Sequence, residues 1–149
     1  MGYTTRPAPD SVAVGVSAIG DVAGAFSQNH KSLAFYYEAI DAGRLPVERG
    51  YALTEDDKLR RFVIGELMCN FRVTAADVRQ RFGVNLADYF AGELAALRAD
   101  GPVGDGLLDI ADEALTVTER GRLFVRNICM AFDRYLPGHA GRPVFSRTI

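Results

Sequence analysis

The sequence predicts a mainly α-helical (α+β) protein: a winged-helix-like helical domain with a small β-hairpin, preceded by a strand–helix segment. Two observations lead to this class. Residues 51–136 carry apolar side chains at the spacing of successive amphipathic helices, with a short hairpin before the last one. Residues 1–50 are rich in glycine and proline and contain one strand pattern and one helix pattern, too little for a core. We therefore divide the chain into two domains, 1–50 and 51–149.

The first region combines a loop, a strand and a helix. Prolines disfavour helix at residues 6–10 and predict a loop there. Valines that alternate with small residues over 12–16 predict a short strand. Residues 32–42 place apolar side chains on one arc of a helix, which we expect Gly43 to end. The lone strand and helix look like pieces that pack against another part of a larger structure.

The second region begins with two helices that have clear start signals. Thr54, three residues before Asp57, predicts a capped helix start, and apolar residues follow at helical spacing through Met68. Thr74 opens a second helix in the same way, and Gly83 is expected to end it just after Phe82.

The remaining elements complete a winged-helix-like order. Apolar spacing predicts a third helix over 86–97 and a hairpin over 107–117. A last helix over 124–135 should end at Pro137. Three helices, a hairpin and a further helix are the parts of a winged-helix-like domain.

Charge and hydropathy exclude some partners. The formal net charge of −2 supplies no basic field for nucleic acid or anionic lipid. The elements that would contact DNA, the third helix and the hairpin, are acidic, so we expect no nucleic-acid partner. The longest apolar stretches fall well short of the ~20 residues that span a bilayer, and no secretory signal is evident. We therefore predict a cytoplasmic protein with no membrane partner.

The sequence offers no catalytic or metal-binding residue. Cys69 and Cys129 are sixty positions apart, whereas an iron–sulfur cluster needs three or four thiolates brought together. His30 and His139 are isolated and lack the spacing of zinc ligands. Phosphate-loop, dinucleotide-binding and serine-nucleophile motifs are also missing. We therefore nominate no catalytic residue, no metal ligand and no cofactor bound by this chain alone, and expect the cysteines to be buried, reduced thiols.

Five short segments carry a resemblance to a known family: residues 2–5 (GYTT), 15–19 (GVSAI), 49–53 (RGYAL), 126–130 (RNICM) and 145–147 (FSR). In their order and spacing they resemble the C-terminal third of the bacterial oxygen-independent coproporphyrinogen III oxidase, a radical S-adenosylmethionine (SAM) enzyme of haem biosynthesis. Met1 stands where that family has a glutamine, which suggests a start codon inside a longer reading frame.

The resemblance implies a role within a larger oxidoreductase. In the full-length family enzyme, a partial (β/α) barrel holds a 4Fe-4S cluster, which reduces SAM to a radical that starts the decarboxylation of coproporphyrinogen III to protoporphyrinogen IX. Residues 1–50 would then be a remnant of the barrel end and a linker. Residues 51–149 would form the C-terminal domain with its docking tail. The resemblance implies an accessory, lid-like or substrate-positioning role, and we expect the chain to be inactive by itself.

The same resemblance suggests one site residue and the partners. Ile19 corresponds to an isoleucine near SAM and the substrate, a role that needs the barrel; without it, Ile19 would be a buried aliphatic residue at a strand end. The implied partners are the catalytic radical SAM barrel, in the same or a separate chain, and coproporphyrinogen III. The alternative is a stand-alone winged-helix module that binds a protein or a porphyrin. Exposed strand edges near residues 12–16 also favour self-association.

Overall fold

The computed structural model describes residues 10–99 and 101–136. Helices and strands are mixed in this part of the chain, which confirms the α+β class. The described chain divides into two compact units, with the boundary between Lys58 and Leu59. We call residues 10–58 the sheet unit and residues 59–136 the helical unit. Most of the predicted proline loop, the expected helix stop at Pro137 and the docking tail lie outside the described residues.

The sheet unit is a three-stranded antiparallel sheet with one helix. Strands β1 (Ile19–Val22), β2 (Ala25–Asn29) and β3 (Val47–Ala52) lie in the order β1-β2-β3, and helix α1 (Leu33–Asp41) connects β2 to β3. The turn between β1 and β2 consists of Ala23 and Gly24, both with positive φ (51° and 76°). Two positive φ values in a two-residue loop give the turn that matches the twist of paired strands.

The strand predicted over residues 12–16 is wrong. Residues 12–16 form no strand; an isolated bridge lies just before them, where Ser11 exchanges backbone hydrogen bonds with Asp21 of β1. Gly15 and Ser17 have φ values of +108° and +59°, which interrupt an extended strand. The first strand of the sheet begins only at Ile19.

Helix α1 confirms the helix predicted over residues 32–42, and Gly43 follows it with a φ of +68°. The described residues leave its apolar arc largely uncovered, since Leu33, Tyr37 and Ile40 are all exposed and Ala39 is its buried residue. Apolar side chains on one face of an amphipathic helix normally pack against a neighbouring element.

The helical unit follows the predicted order closely and adds one strand. Its elements are α2 (Glu55–Asn70), β4 (Arg72–Thr74), α3 (Ala75–Phe82), α4 (Leu86–Tyr89), α5 (Ala91–Ala99), β5 (Leu108–Ala111), β6 (Ala114–Val117) and α6 (Val125–Met130). The hairpin predicted over 107–117 is confirmed as β5 and β6. The three-residue strand β4 was not predicted; it pairs with β6 in a second antiparallel sheet of order β4-β6-β5.

The predicted helix starts are confirmed in atomic detail. The hydroxyl of Thr54 accepts a hydrogen bond from the Asp57 N–H at 3.2 Å, and the Asp57 carboxylate accepts one from the Thr54 N–H at 2.9 Å. This reciprocal pair is a capping box with aspartate as its acid. The Thr74 hydroxyl likewise accepts from the Asp77 N–H at 3.0 Å, and Gly83 ends α3 in the left-handed conformation.

Two predicted helices are shorter or interrupted. The helix expected over 86–97 is divided into α4 and α5 at Phe90, whose fully buried ring packs edge-to-face on Phe132 at 5.3 Å. The helix expected over 124–135 is regular only over α6. A 3₁₀ turn, Gly121–Phe124, precedes it, and the N–H groups of Ala131 and Phe132 bond three residues back rather than four.

The helical unit encloses the hydrophobic core found in the described residues. Side chains from α2, α3, α5, the second sheet and α6 contribute to it, with Phe90, Phe132 and Leu67 fully buried. None of the helices within residues 10–99 and 101–136 combines the length and apolarity needed to cross a membrane.

Candidate ligand groove on the three-stranded sheet

Ile19 lies on an open groove in the sheet unit. It is the first residue of β1 and 51% exposed, which differs from the buried strand-end position considered above. The groove has a volume of about 560 Å³, within the ~300–1,000 Å³ typical of small-molecule sites. Its lining comes from all three strands: Ile19, Phe26, Ser27, Gln28, Arg49, Gly50 and Tyr51.

Strand register explains why five of the lining residues place their side chains on one face of the sheet. Ile19 pairs with Gln28, which pairs in turn with Arg49, so these three form one row across the sheet. Phe26 pairs with Tyr51 in the next row on the same face, because directly opposed residues and residues two apart along a strand point the same way. An aliphatic, an amide and a guanidinium group thus stand beside two aromatic rings.

Hydrogen bonds to the segment before β1 fix the position of Ile19. The Asn29 side-chain amide donates to the Gly15 carbonyl at 2.9 Å, and the Gly15 N–H donates to the Tyr36 hydroxyl at 3.2 Å. The Ser17 N–H donates to the His30 carbonyl at 2.9 Å. The segment 15–19 that carries the family resemblance is therefore held against β2 and α1 by groups within the sheet unit.

Arg49 places a positive charge in the groove. Its Nε donates to Gln28 Oε1 at 2.8 Å, and Gln28 Nε2 donates to the Ser17 carbonyl at 3.3 Å. Gln28 therefore orients the guanidinium, and Gln28 is itself held by its hydrogen bond to the Ser17 backbone carbonyl. Among residues 10–99 and 101–136, no carboxylate forms an ion pair with Arg49, which leaves its Nη groups available to an anion.

Tyr51 is held by a buried carboxylate. Its hydroxyl donates to Asp57 Oδ2 at 3.0 Å, and the same oxygen accepts from the Thr54 hydroxyl at 2.7 Å. Asp57 is buried and also caps α2, so it fixes the tyrosine ring to the start of that helix. A ring restrained at its polar end presents a pre-ordered apolar surface to a ligand.

The two cysteines lie on different helices, Cys69 on α2 and Cys129 on α6. Both are free; Cys129 is buried, as expected, whereas Cys69 is only partly buried. Burial raises the pKa of the Cys129 thiol from 9.0 to about 12, and the nearby Cys69 charge adds to the effect. A protonated thiol is a poor ligand. The described residues contain no group of three or more metal-binding side chains, so they do not fit an iron–sulfur cluster.

Sequence reasoning found one residue of this groove and missed most of the others. It nominated Ile19 and noted Arg49 and Tyr51 as part of a matching segment without giving them a role. Phe26 and Gln28 were missed altogether. The one local signal was Gly24 in the turn before β2, because neither β2 (AFSQN) nor β3 (VERGYA) alternates apolar and polar residues.

Comparison with known proteins identifies the family. Residues 53–124 match the HemN C-terminal domain family. The chain is 44% identical over 150 residues to the oxygen-independent coproporphyrinogen III oxidase of Escherichia coli (strain K12). It is 41% identical over 153 residues to that of Synechocystis sp.. Each alignment covers 100% of this chain and 32% of the relative, so the chain spans about a third of their length.

A solved structure agrees with these relatives. Coproporphyrinogen III oxidase (HemN) from Escherichia coli, a radical SAM enzyme, superimposes with a TM-score of 0.84 at 43% identity, covering 90% of this chain and 30% of that protein. These similarities do not favour the alternative of a stand-alone module. The chain belongs to the oxygen-independent coproporphyrinogen III oxidase family and contains its C-terminal domain.

Proposed function

We propose that this chain covers and positions the substrate in an oxygen-independent coproporphyrinogen III oxidase, together with a catalytic radical SAM barrel in the same or a separate chain. The observation that carries the proposal is the amount of apolar surface that the described residues of the sheet unit leave exposed. Val12 and Val14 are 81% and 85% exposed, and the apolar arc of α1 is exposed too. Several large apolar side chains exposed on one small unit favour an interface with another part of the protein. The relatives, about three times as long, supply the partner.

The two domains would then have different tasks. Residues 1–50 would be the linker and the part that packs against the barrel, and residues 51–149 the accessory domain with its docking tail. For the accessory domain we propose a winged-helix arrangement, supported by α2, α3 and α5 followed by the β5–β6 hairpin. Its role would be packing, because fold alone does not imply DNA binding.

The groove would form part of the wall of the active site. SAM and the 4Fe-4S cluster would be bound by the barrel, where they supply the radical that starts the decarboxylation of coproporphyrinogen III. The contribution of this chain would be to bind the tetrapyrrole, orient it and exclude water. Ile19 would supply an apolar contact near SAM and the substrate, which its half-exposed position on the groove supports.

A chimera tests the proposal. This chain replaces the aligned residues of the Escherichia coli oxidase, and anaerobic conversion of coproporphyrinogen III to protoporphyrinogen IX is followed by chromatography. The control is the same enzyme without the aligned residues. We expect the chimera to be active and the control inactive, and Ile19→Ala to raise the KM for SAM or for the substrate. An inactive chimera with the visible absorbance of an intact cluster would refute the proposal.

A further inference from the structure

The groove combines a charged group and apolar surfaces in a way that selects a ligand. The Arg49 guanidinium is oriented by Gln28 at 2.8 Å and has no carboxylate partner among the described residues. Arginine presents a planar set of donors that matches a carboxylate with two parallel hydrogen bonds. The unsatisfied edge of the guanidinium therefore favours a ligand with an exposed carboxylate.

The neighbouring row supplies a surface for a flat or apolar body. Phe26 and Tyr51 are directly paired across β2 and β3 on the same face as Arg49, and Asp57 restrains the Tyr51 hydroxyl. Ile19 extends the apolar surface from β1.

We propose that Arg49, positioned by Gln28, binds a propionate carboxylate of the coproporphyrinogen substrate while the tetrapyrrole lies against Phe26 and Tyr51. The assignment rests on the proposed function, which supplies the substrate, and adds the residue that recognises its charge. A tetrapyrrole with carboxylates around an apolar macrocycle has the two chemistries that this face offers.

The competing explanation is a cross-strand pair that only supports the sheet. Such a pair contributes about 0.2–1 kcal/mol to stability and would leave the KM for a substrate unchanged. A second source of a carboxylate is the amino-acid end of SAM, which would bind the same guanidinium. Kinetics with both substrates varied in turn separate these cases from the proposal.

The test uses the chimera described above with Arg49→Met, which keeps an unbranched apolar stem and removes the guanidinium group with its charge. We expect the KM for coproporphyrinogen III to rise about 10- to 100-fold, since a hydrogen bond to a charged group is lost. The KM for SAM should stay unchanged. Arg49→Lys should recover part of the loss because it keeps the charge without the fork of donors. Arg44→Met, an exposed arginine outside the groove, is the matched control.

Each outcome is informative. An unchanged KM for coproporphyrinogen III in Arg49→Met, or a rise in the KM for SAM instead, overturns the assignment while the proposed function stands. If Arg49→Met fails to fold, the same assay is run on Arg49→Lys and Gln28→Leu. If both variants keep the wild-type KM for coproporphyrinogen III, the assignment of Arg49 is overturned. An inactive parent chimera refutes the proposed function, and this assignment falls with it.

Discussion

Arg60 should be a main determinant of stability in the helical unit. Its Nη1 donates to Glu93 Oε1 at 2.8 Å and to the Phe132 carbonyl at 3.1 Å, and its guanidinium carbon lies 5.3 Å from the centre of the Phe90 ring. The side chains of Arg60 and Glu93 are only 16% and 22% exposed. The Arg60 side chain on α2 thus contacts α5, Phe90 at the break between α4 and α5, and Phe132 after α6.

Replacing Arg60 with methionine keeps the apolar stem and removes the charge and its hydrogen bonds. Lost hydrogen bonds to a charged group cost about 1.5–3 kcal/mol, and the contact with the Phe90 ring adds about 0.5–1 kcal/mol. We expect a total loss of about 2–4 kcal/mol in the free energy of unfolding. A double-mutant cycle with Glu93→Gln should give a coupling of about 1–2 kcal/mol, in the range for residues in direct contact.

The assay is urea unfolding of the purified chain at 25 °C, followed by circular dichroism at 222 nm, where α2 and the other helices dominate. With a slope of about 2 kcal/mol/M, a loss of 3 kcal/mol lowers the midpoint by about 1.5 M. Arg79→Met, an exposed arginine on α3, is the control and should stay within about 0.5 kcal/mol of the unsubstituted chain. A loss below about 0.5 kcal/mol for Arg60→Met, with no coupling to Glu93, would refute the reasoning.

Three further predictions concern the helical unit. Gly121→Ala should cost about 2–3 kcal/mol by urea titration, because an added Cβ would overlap the Leu107 carbonyl; wild-type stability would contradict this. Iodoacetamide at pH 8 should modify Cys69 and spare Cys129 until the protein unfolds. The raised pKa of Cys129 keeps the buried thiol protonated, so the free energy of unfolding relative to that of Cys129→Ala should be full below pH 9 and fall between pH 9 and about 12. Equal labelling of both thiols would argue against it. Thr74→Ala should cost about 1 kcal/mol through the lost cap of α3, whereas no change would show that the cap is dispensable.

The helical unit could be predicted because its sequence repeats the same signals. Thr54 and Thr74 each precede an acid by three residues, Gly83 stops α3, and apolar residues keep helical spacing between these points. The end of α2 had no such signal, because Phe71 follows it with a φ of +57°, a conformation that usually favours glycine. Strand β4 was missed since three residues are too few to show alternation.

In the sheet unit, helix α1 could be predicted but the three-stranded sheet could not, for a different physical reason. Ala23-Gly24 makes the hairpin turn without the asparagine or aspartate that usually marks it. Val12 and Val14 have the alternating pattern of a strand, although the positive φ values at Gly15 and Ser17 prevent an extended strand through this segment. The groove depends on register between three strands, and a sequence does not reveal register until the turns are known. Ile19 was therefore nominated from the family resemblance, and its neighbours were not.

The two units differ in what holds them together, and this difference bears on function. In the helical unit the fully buried side chains are large and apolar, whereas the buried residues of the sheet unit include the polar Asn29 and Asp57, which form hydrogen bonds with backbone groups. Polar groups that are hydrogen-bonded to the backbone specify a conformation but contribute little net stability, while ordering a residue costs about 1–2 kcal/mol. A three-stranded sheet gains independent stability mainly by burying an apolar face. In the proposed function, the rest of the enzyme would cover the apolar groups that the described residues of the sheet unit leave exposed, and the groove with them.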